Sequence, residues 1–146
     1  MRCVVSVQCA YLARVLSGGP LEQSSTPSAG VVLIVDDDRD LLYLLTQAFQ
    51  NAGYQVVGAS DFSSARMSLR THRLTALLTD VRLGEYNGIQ LALLARELHP
   101  AIKVVVFSGF DDPVLREEAE RVGAPFLVKP VSSQVLVNLL RDGKPN

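Results

Sequence analysis

Four places in this 146-residue chain combine residues capable of chemistry with an abrupt change of pattern. Asp36-Asp37-Asp38 follows the apolar run Val31–Val35, and Asp80 ends the run Thr75-Ala76-Leu77-Leu78-Thr79. Ser108-Gly109 follows Ile102–Phe107, and Lys129-Pro130 follows Phe126-Leu127-Val128. A carboxylate at the tip of a buried run is poorly placed for stability, because burying a charge costs several kcal/mol unless something pairs with it. Carboxylates brought together repel, and a cation among them removes the repulsion. Oxygen-only ligands select a hard ion, for which Mg²⁺ is the natural candidate; it needs only one or two carboxylates and keeps several waters. Asp80 is then available as a nucleophile towards a phosphoryl group, since carboxylates do form aspartyl phosphates. Lys129 and the ion would neutralise charge on the transferring group, and Ser108 could donate a hydrogen bond to it.

Each residue also has a plainer role. Asp36, Asp37 and Asp38 could complement the positive end of a following helix, at about 0.3–1 kcal/mol per charge. Asp80 could start a turn. Ser108-Gly109 could open an ordinary loop, and Lys129 could be solvated beside a proline. The chemical reading rests on all four occurring at the ends of four different runs.

The elements that must position these residues are legible as periodicity. Val31–Val35 is a continuous β-branched and aliphatic run, as in a strand buried on both faces. Leu41, Leu44, Leu45, Ala48, Phe49 and Ala52 share one helical face, and Gly53 is placed to end that helix. Gln55–Ala59 is a second, weaker strand, and Ser60 or Asp61 can cap a helix with Phe62, Ala65 and Leu69 inside. Thr75–Thr79 is the third strand, followed by a helix over Ile89–Leu98 that Pro100 stops. Ile102–Phe107 is the fourth strand; Asp112-Pro113 reads as an N-cap with proline at the first helical position. Leu115, Ala119 and Val122 mark that helix's buried side and Gly123 its end. Phe126–Val128 is a short fifth strand, and Ser132 or Ser133 can cap a last helix carrying Leu136, Leu139 and Leu140.

Five strands alternating with five helices predict an α/β, three-layer, doubly wound parallel sheet with helices on both faces and right-handed crossovers. Ligands of such sheets bind beyond the carboxyl ends of the strands, where the strand order reverses. That rule gathers the acids, the hydroxyl and the ammonium on one edge.

Composition bounds the remainder. The length suits a single core, and 48% hydrophobic with 20% charged residues is ordinary for a soluble globular chain. A formal net charge of −1 gives no basic surface for nucleic acid. No apolar run approaches the roughly 20 residues of a membrane span. Cys3 and Cys9 match no zinc spacing or disulfide framework, so a reducing cytoplasm is the simplest compartment. Residues 1–30 read as a leader, with an amphipathic helix possible over Val4–Leu16 and a Ser/Gly/Pro-rich linker from Ser17 to Gly30. Gln8 and Arg14 interrupt the apolar core that a secretory signal needs. Residues 31–146 form the domain.

The set Val35-Asp36-Asp37-Asp38, Thr79-Asp80-Val81-Arg82-Leu83-Gly84 with Gly88 eight residues after Asp80, Phe107-Ser108-Gly109 and Val128-Lys129-Pro130 resembles the receiver domain of two-component response regulators. The resemblance covers residues 31 to about 142. It implies a flavodoxin-like fold with strand order 2-1-3-4-5. It implies that Asp80 is the phosphoacceptor, taking its phosphoryl group from a sensor histidine kinase or histidine phosphotransfer protein. Asp36 and Asp37 match the acid pair that binds Mg²⁺ together with Asp80 and the backbone carbonyl of Arg82. Lys129 matches the family lysine, Ser108 the switch hydroxyl, and Phe126 the aromatic that turns inward on activation. The surface of the fourth helix, fifth strand and last helix is then the one that signals to a downstream protein. The chain is not expected to be an enzyme, beyond assisting its own phosphorylation and dephosphorylation. With no effector after the last helix, the resemblance favours a stand-alone receiver; a fragment of a longer regulator is the equal alternative.

Departures from the family pattern carry expectations too. Gly84 stands where Pro is frequent and makes the loop after Asp80 more permissive. Pro125, just before Phe126, is expected to restrict the switch region. Arg82 and Phe110, two residues after Asp80 and Ser108, are bulky and are expected to hinder the attacking water and lengthen the phosphoryl lifetime. Two rivals come from other classes. One is a pseudo-receiver, a binding module that keeps the fold without the chemistry. The other is an aspartyl phosphatase of the haloacid-dehalogenase type, whose D-x-D spacing occurs within Asp36–Asp40 but which leaves Asp80 without a role.

Overall fold

The computed structural model describes residues 28–142. The β-branched run after Gly30 forms β1 (Gly30–Val35), and α1 (Arg39–Asn51) returns the chain to β2 (Tyr54–Ala59). Then follow α2 (Phe62–Thr71), β3 (Ala76–Asp80), α3 (Gly88–Leu98), β4 (Lys103–Ser108), α4 (Pro113–Arg121), β5 (Phe126–Val128) and α5 (Ser133–Asp142). The five strands are all parallel in the order β2-β1-β3-β4-β5, as the resemblance implied. The order reverses between β1 and β3, so those two strands form the topological switch point.

Alternation along each strand divides the core into two layers. Leu33, Val35, Leu77, Val104, Val106 and Phe126 pack against α2, α3 and α4. Val32, Ile34, Leu78, Val105 and Phe107 pack against α1 and α5. Strands buried on both faces lack a polar alternation, which is why they read as unbroken apolar runs.

Helix ends follow their capping chemistry. Asp38 accepts from the amides of Asp40 and Leu41 and opens α1, so the third acid of the triplet is a cap. Of Ser60 and Asp61, it is Asp61 that caps α2; of Ser132 and Ser133, it is Ser132, whose Oγ accepts from the Val135 amide. Asp112 caps α4 with Pro113 in its first turn. Gly53 and Gly123 take positive φ (94° and 69°) just past the ends of α1 and α4.

Three expectations are corrected. Leu44, assigned to the inner face of α1, is 63% exposed. The buried stripe of α1 is centred on Leu45 and Phe49, with Leu41, Leu42 and Ala52 packed beside it, and Leu44 lies one residue, about 100°, off that centre. The third strand runs Ala76–Asp80 rather than Thr75–Thr79, so Asp80 is part of the ladder, opposite Phe107. An unforeseen two-stranded antiparallel ribbon, Arg82–Leu83 against Tyr86–Asn87, follows Asp80. β1 begins at Gly30, and the Ala29 amide donates a hydrogen bond to the Gly53 carbonyl at 3.1 Å. The expected leader helix and most of the linker lie outside the described residues.

Candidate functional site

Parallel strands put Val35, Ala59, Asp80, Ser108 and Val128 on one edge of the sheet. Asp36 leaves the end of β1 fully buried, at 0% exposure, and Asp80 closes β3 at 6%. Asp37, the next residue along, is exposed. One carboxylate oxygen from each of the three lies within 4.8 Å of the others. Lys129 reaches in from β5 and donates to Asp36 Oδ2 at 2.9 Å and to Asp80 Oδ2 at 3.0 Å. Its ammonium also sits 4.6 Å from the centroid of the Phe107 ring. The Lys129 amide donates to the Ser108 carbonyl at 2.7 Å, which ties the lysine to the hydroxyl-bearing strand. The Lys129–Pro130 peptide bond is cis.

The second oxygens of the buried acids are held by backbone. Asp36 Oδ1 accepts from the Asp38 amide at 2.8 Å, and Asp80 Oδ1 from the Arg82 amide at 3.1 Å. Burial pushes the Asp36 carboxyl above its ordinary value, against the opposing pull of the bonds from Lys129 and the Asp38 amide. Burial disfavours the Lys129 charge too, but the bonds to Asp36 and Asp80 outweigh it and hold the ammonium above its ordinary value. Lys129 is thus a fixed positive charge at neutral pH, aimed at two carboxylates.

The peptide after Asp80 is packed tightly. Thr79 Oγ1 donates to the Asp80 carbonyl at 2.9 Å, and the Gly88 amide donates to the Val81 carbonyl at 2.7 Å. A Cβ on Gly88 would collide with the Asp80 carbonyl oxygen and come within 2.8 Å of Thr79 Oγ1. The spacing of that glycine from Asp80 is therefore a steric requirement of the loop. Gly84, at φ +62°, turns the ribbon with open space around it.

Ser108 is buried, and its Oγ accepts from the Phe110 amide at 3.2 Å. Phe110 is exposed, and the Arg82 guanidinium lies over its ring at 4.7 Å. The two bulky residues therefore touch, bridging the loops after β3 and β4. Phe126 is buried at the start of β5, with the Arg116 guanidinium over its ring at 4.9 Å. Arg116 Nη2 also donates to Asp111 at 2.7 Å and Nη1 to the Phe126 carbonyl at 3.4 Å. Arg116 is a residue that sequence reasoning missed: an arginine on a polar helix face gives no sign of what it reaches. The role of Thr79 was missed for the same reason, since a hydroxyl in an apolar run looks like any strand threonine.

The donor set fits a hard divalent cation. Asp36, Asp37 and Asp80 set three carboxylates against the single Lys129 ammonium, which leaves the cluster formally negative. All three side-chain donors are oxygens, with lone pairs beyond those the amides and the ammonium use.

The family model of the response regulator receiver domain matches residues 32–141. The chain belongs to that family. It is 33% identical over 108 residues to the response regulator receiver protein CpdR of Brucella abortus, a match covering 73% of this chain and 90% of that one. It is 28% identical over 110 residues to the photosynthetic apparatus regulatory protein RegA of Rhodobacter capsulatus, covering 75% of this chain and 60% of that one. A response regulator from Burkholderia pseudomallei, crystallised with a phosphorylated aspartic acid, calcium ion and citrate, shares the fold. Its TM-score is 0.72 at 22% identity, covering 77% of this chain and 67% of that one. This receiver is a phosphoacceptor module of two-component signalling. Among its described residues no helix is long and apolar enough to cross a membrane.

Proposed function

We propose that Asp80 is the residue that takes the phosphoryl group, from a sensor histidine kinase or a histidine phosphotransfer protein in the cytoplasm. The observation that carries this is the placement of Asp80: it ends the central strand, with Oδ2 held 3.0 Å from Lys129 and within 4.8 Å of oxygens from Asp36 and Asp37. The Burkholderia structure, with its phosphorylated aspartic acid and calcium ion, supports the same chemistry here.

In the transfer, an Asp80 carboxylate oxygen forms the new O–P bond while the N–P bond of the phosphohistidine breaks and the imidazole leaves with the electron pair. Little covalent work falls to the protein; positioning and charge stabilisation do most of it. Asp36, Asp37, Asp80 and the Arg82 carbonyl would hold Mg²⁺, which neutralises charge on the phosphoryl oxygens when bound. Lys129 supplies the second positive charge and keeps Asp36 and Asp80 from repelling each other. The Ser108 hydroxyl moves to the phosphoryl once it arrives and donates to it. Phe126 and Arg116 then transmit that movement to the α4-β5-α5 surface, where a downstream protein docks.

Hydrolysis needs a water in line with the Asp80–phosphoryl bond. Arg82 and Phe110, in contact between the loops after β3 and β4, would hinder that water and lengthen the phosphoryl lifetime. Arg82→Asn and Phe110→Ala each shorten its lifetime by about threefold or more, the scale of one lost cation–π contact; unchanged decay in both variants contradicts this.

The reading is tested by treating the protein with phosphoramidate and Mg²⁺ and weighing it intact. Wild type gains one phosphoryl group and Asp80→Asn gains none. Equal labelling of the two removes Asp80 as the acceptor.

A further inference from the structure

The ribbon after Asp80 is too small to hold itself. Two strands of two residues each, turned over a glycine at φ +62°, supply only a minimal ladder. Even full two-stranded hairpins are marginal in water. Yet this ribbon carries Arg82, whose amide orients Asp80 and whose carbonyl is the backbone group assigned to the metal. Something outside the ribbon must fix it.

Leu83, buried at 3%, anchors one strand in the core. On the other strand the Tyr86 ring lies flat on the ring of Phe62, with centroids 4.6 Å apart and planes 13° apart. Tyr86 pairs directly with Leu83, and its neighbour Asn87 pairs with Arg82. Phe62 is the first residue of α2, which Asp61 caps through the Ser64 amide, so the platform under Tyr86 is a rigid helix end. The two rings line a cleft of about 410 Å³ whose wall also includes Asp37, Leu83 and Gly84. The stack thus links the metal side of the site to the second helix. Tyr86 is 53% exposed, so its stack on Phe62 can be loosened by substitution without opening the core.

We infer that the Tyr86–Phe62 stack is a positioning device for metal binding, setting the fraction of molecules whose post-Asp80 ribbon is placed to ligate Mg²⁺. Neither ring touches the reacting atoms. Loosening the stack lowers the competent fraction, and apparent metal affinity falls by that fraction while the saturated site is unchanged. The inference rests on the proposed Mg²⁺ site.

The test is the rate of phosphorylation by phosphoramidate against Mg²⁺ concentration, with Mg²⁺ alone titrated in parallel by amide NMR shifts. Tyr86→Ala raises the half-saturating Mg²⁺ concentration about two- to tenfold, the range expected from losing one aromatic pair. The rate at saturating Mg²⁺ stays within twofold of wild type. Tyr86→Phe, which keeps the ring, restores half-saturation to within twofold. Phe62→Ala reproduces Tyr86→Ala, and the double variant is no worse than either single one. An unchanged half-saturation in Tyr86→Ala overturns the inference, as does a Tyr86→Phe variant as impaired as Tyr86→Ala. Wild type that shows neither Mg²⁺ shifts nor Mg²⁺-dependent labelling overturns the metal site itself, a separate result.

Discussion

Lys129 illustrates how much one side chain settles at this site. Asp36 is fully buried and would be costly as a lone anion, but its Oδ2 shares the Lys129 ammonium with Asp80. Removing one partner of a buried ion pair leaves an uncompensated charge. Lys129→Gln therefore slows phosphorylation by phosphoramidate roughly 10²-fold, the usual loss for one preorganised donor at a developing charge. Stopped aliquots weighed intact give that rate. Gly88 makes a comparable point in steric terms. Gly88→Ala places a methyl group against the Asp80 carbonyl oxygen and Thr79 Oγ1, and costs about 1–3 kcal/mol of stability in urea unfolding. At this scale the sequence was informative about identity and silent about contact. Asp36, Asp80 and Lys129 could be singled out because charged residues ended apolar runs. That Lys129 bonds both acids, or that Arg82 covers Phe110, depends on long side chains whose reach no spacing encodes.

Elements were legible where periodicity and capping agreed, and misread where one acted alone. Asp112-Pro113 gave α4 its start, because a cap and a proline at the first turn point the same way. Leu44 was misplaced because a leucine beside a buried stripe satisfies the helical pattern as well as one inside it. The ribbon Arg82–Asn87 escaped notice because two-residue strands have no periodicity. Arg116 shows the same limit: it joins α4, the Asp111 loop and Phe126, three segments that meet only in the fold. One element-level prediction concerns α2. Hydrogen bonds from the Ser64 amide and hydroxyl hold the Asp61 carboxyl below its ordinary value. A carboxyl with a lowered folded value contributes stability above its unfolded value, about 3.9, and loses it as pH falls through the folded one. The stability difference between wild type and Asp61→Ala is therefore constant from neutral pH to about pH 5 and narrows below about pH 3.9. Urea midpoints across that range measure it; a gap that widens in acid contradicts the capping account.

For the whole molecule, topology does what no single element can. Residues 36, 80, 108 and 129 meet because every strand of the sheet is parallel, so all four strand ends share one edge. The alternation of runs and helices made that architecture readable, and with it the edge on which these four residues would lie. A ligand that binds only the folded state stabilises it in proportion to the logarithm of its concentration over its Kd. Mg²⁺ at about 100 times its Kd therefore adds about 2.7 kcal/mol to wild type. Asp37 is exposed, so Asp37→Asn should fold normally yet gain much less from the same Mg²⁺. Equal gains in the two proteins would place the ion elsewhere.

The proposed acceptor is one carboxylate, at position 80. Borohydride reduces an aspartyl phosphate to homoserine, leaving unmodified aspartate intact. The decisive measurement is peptide mapping of the phosphoramidate-treated, borohydride-reduced protein. Homoserine is expected at position 80 and nowhere else, dependent on Mg²⁺. Homoserine at Asp36, Asp37 or Asp38, with Asp80 recovered unchanged, would contradict it.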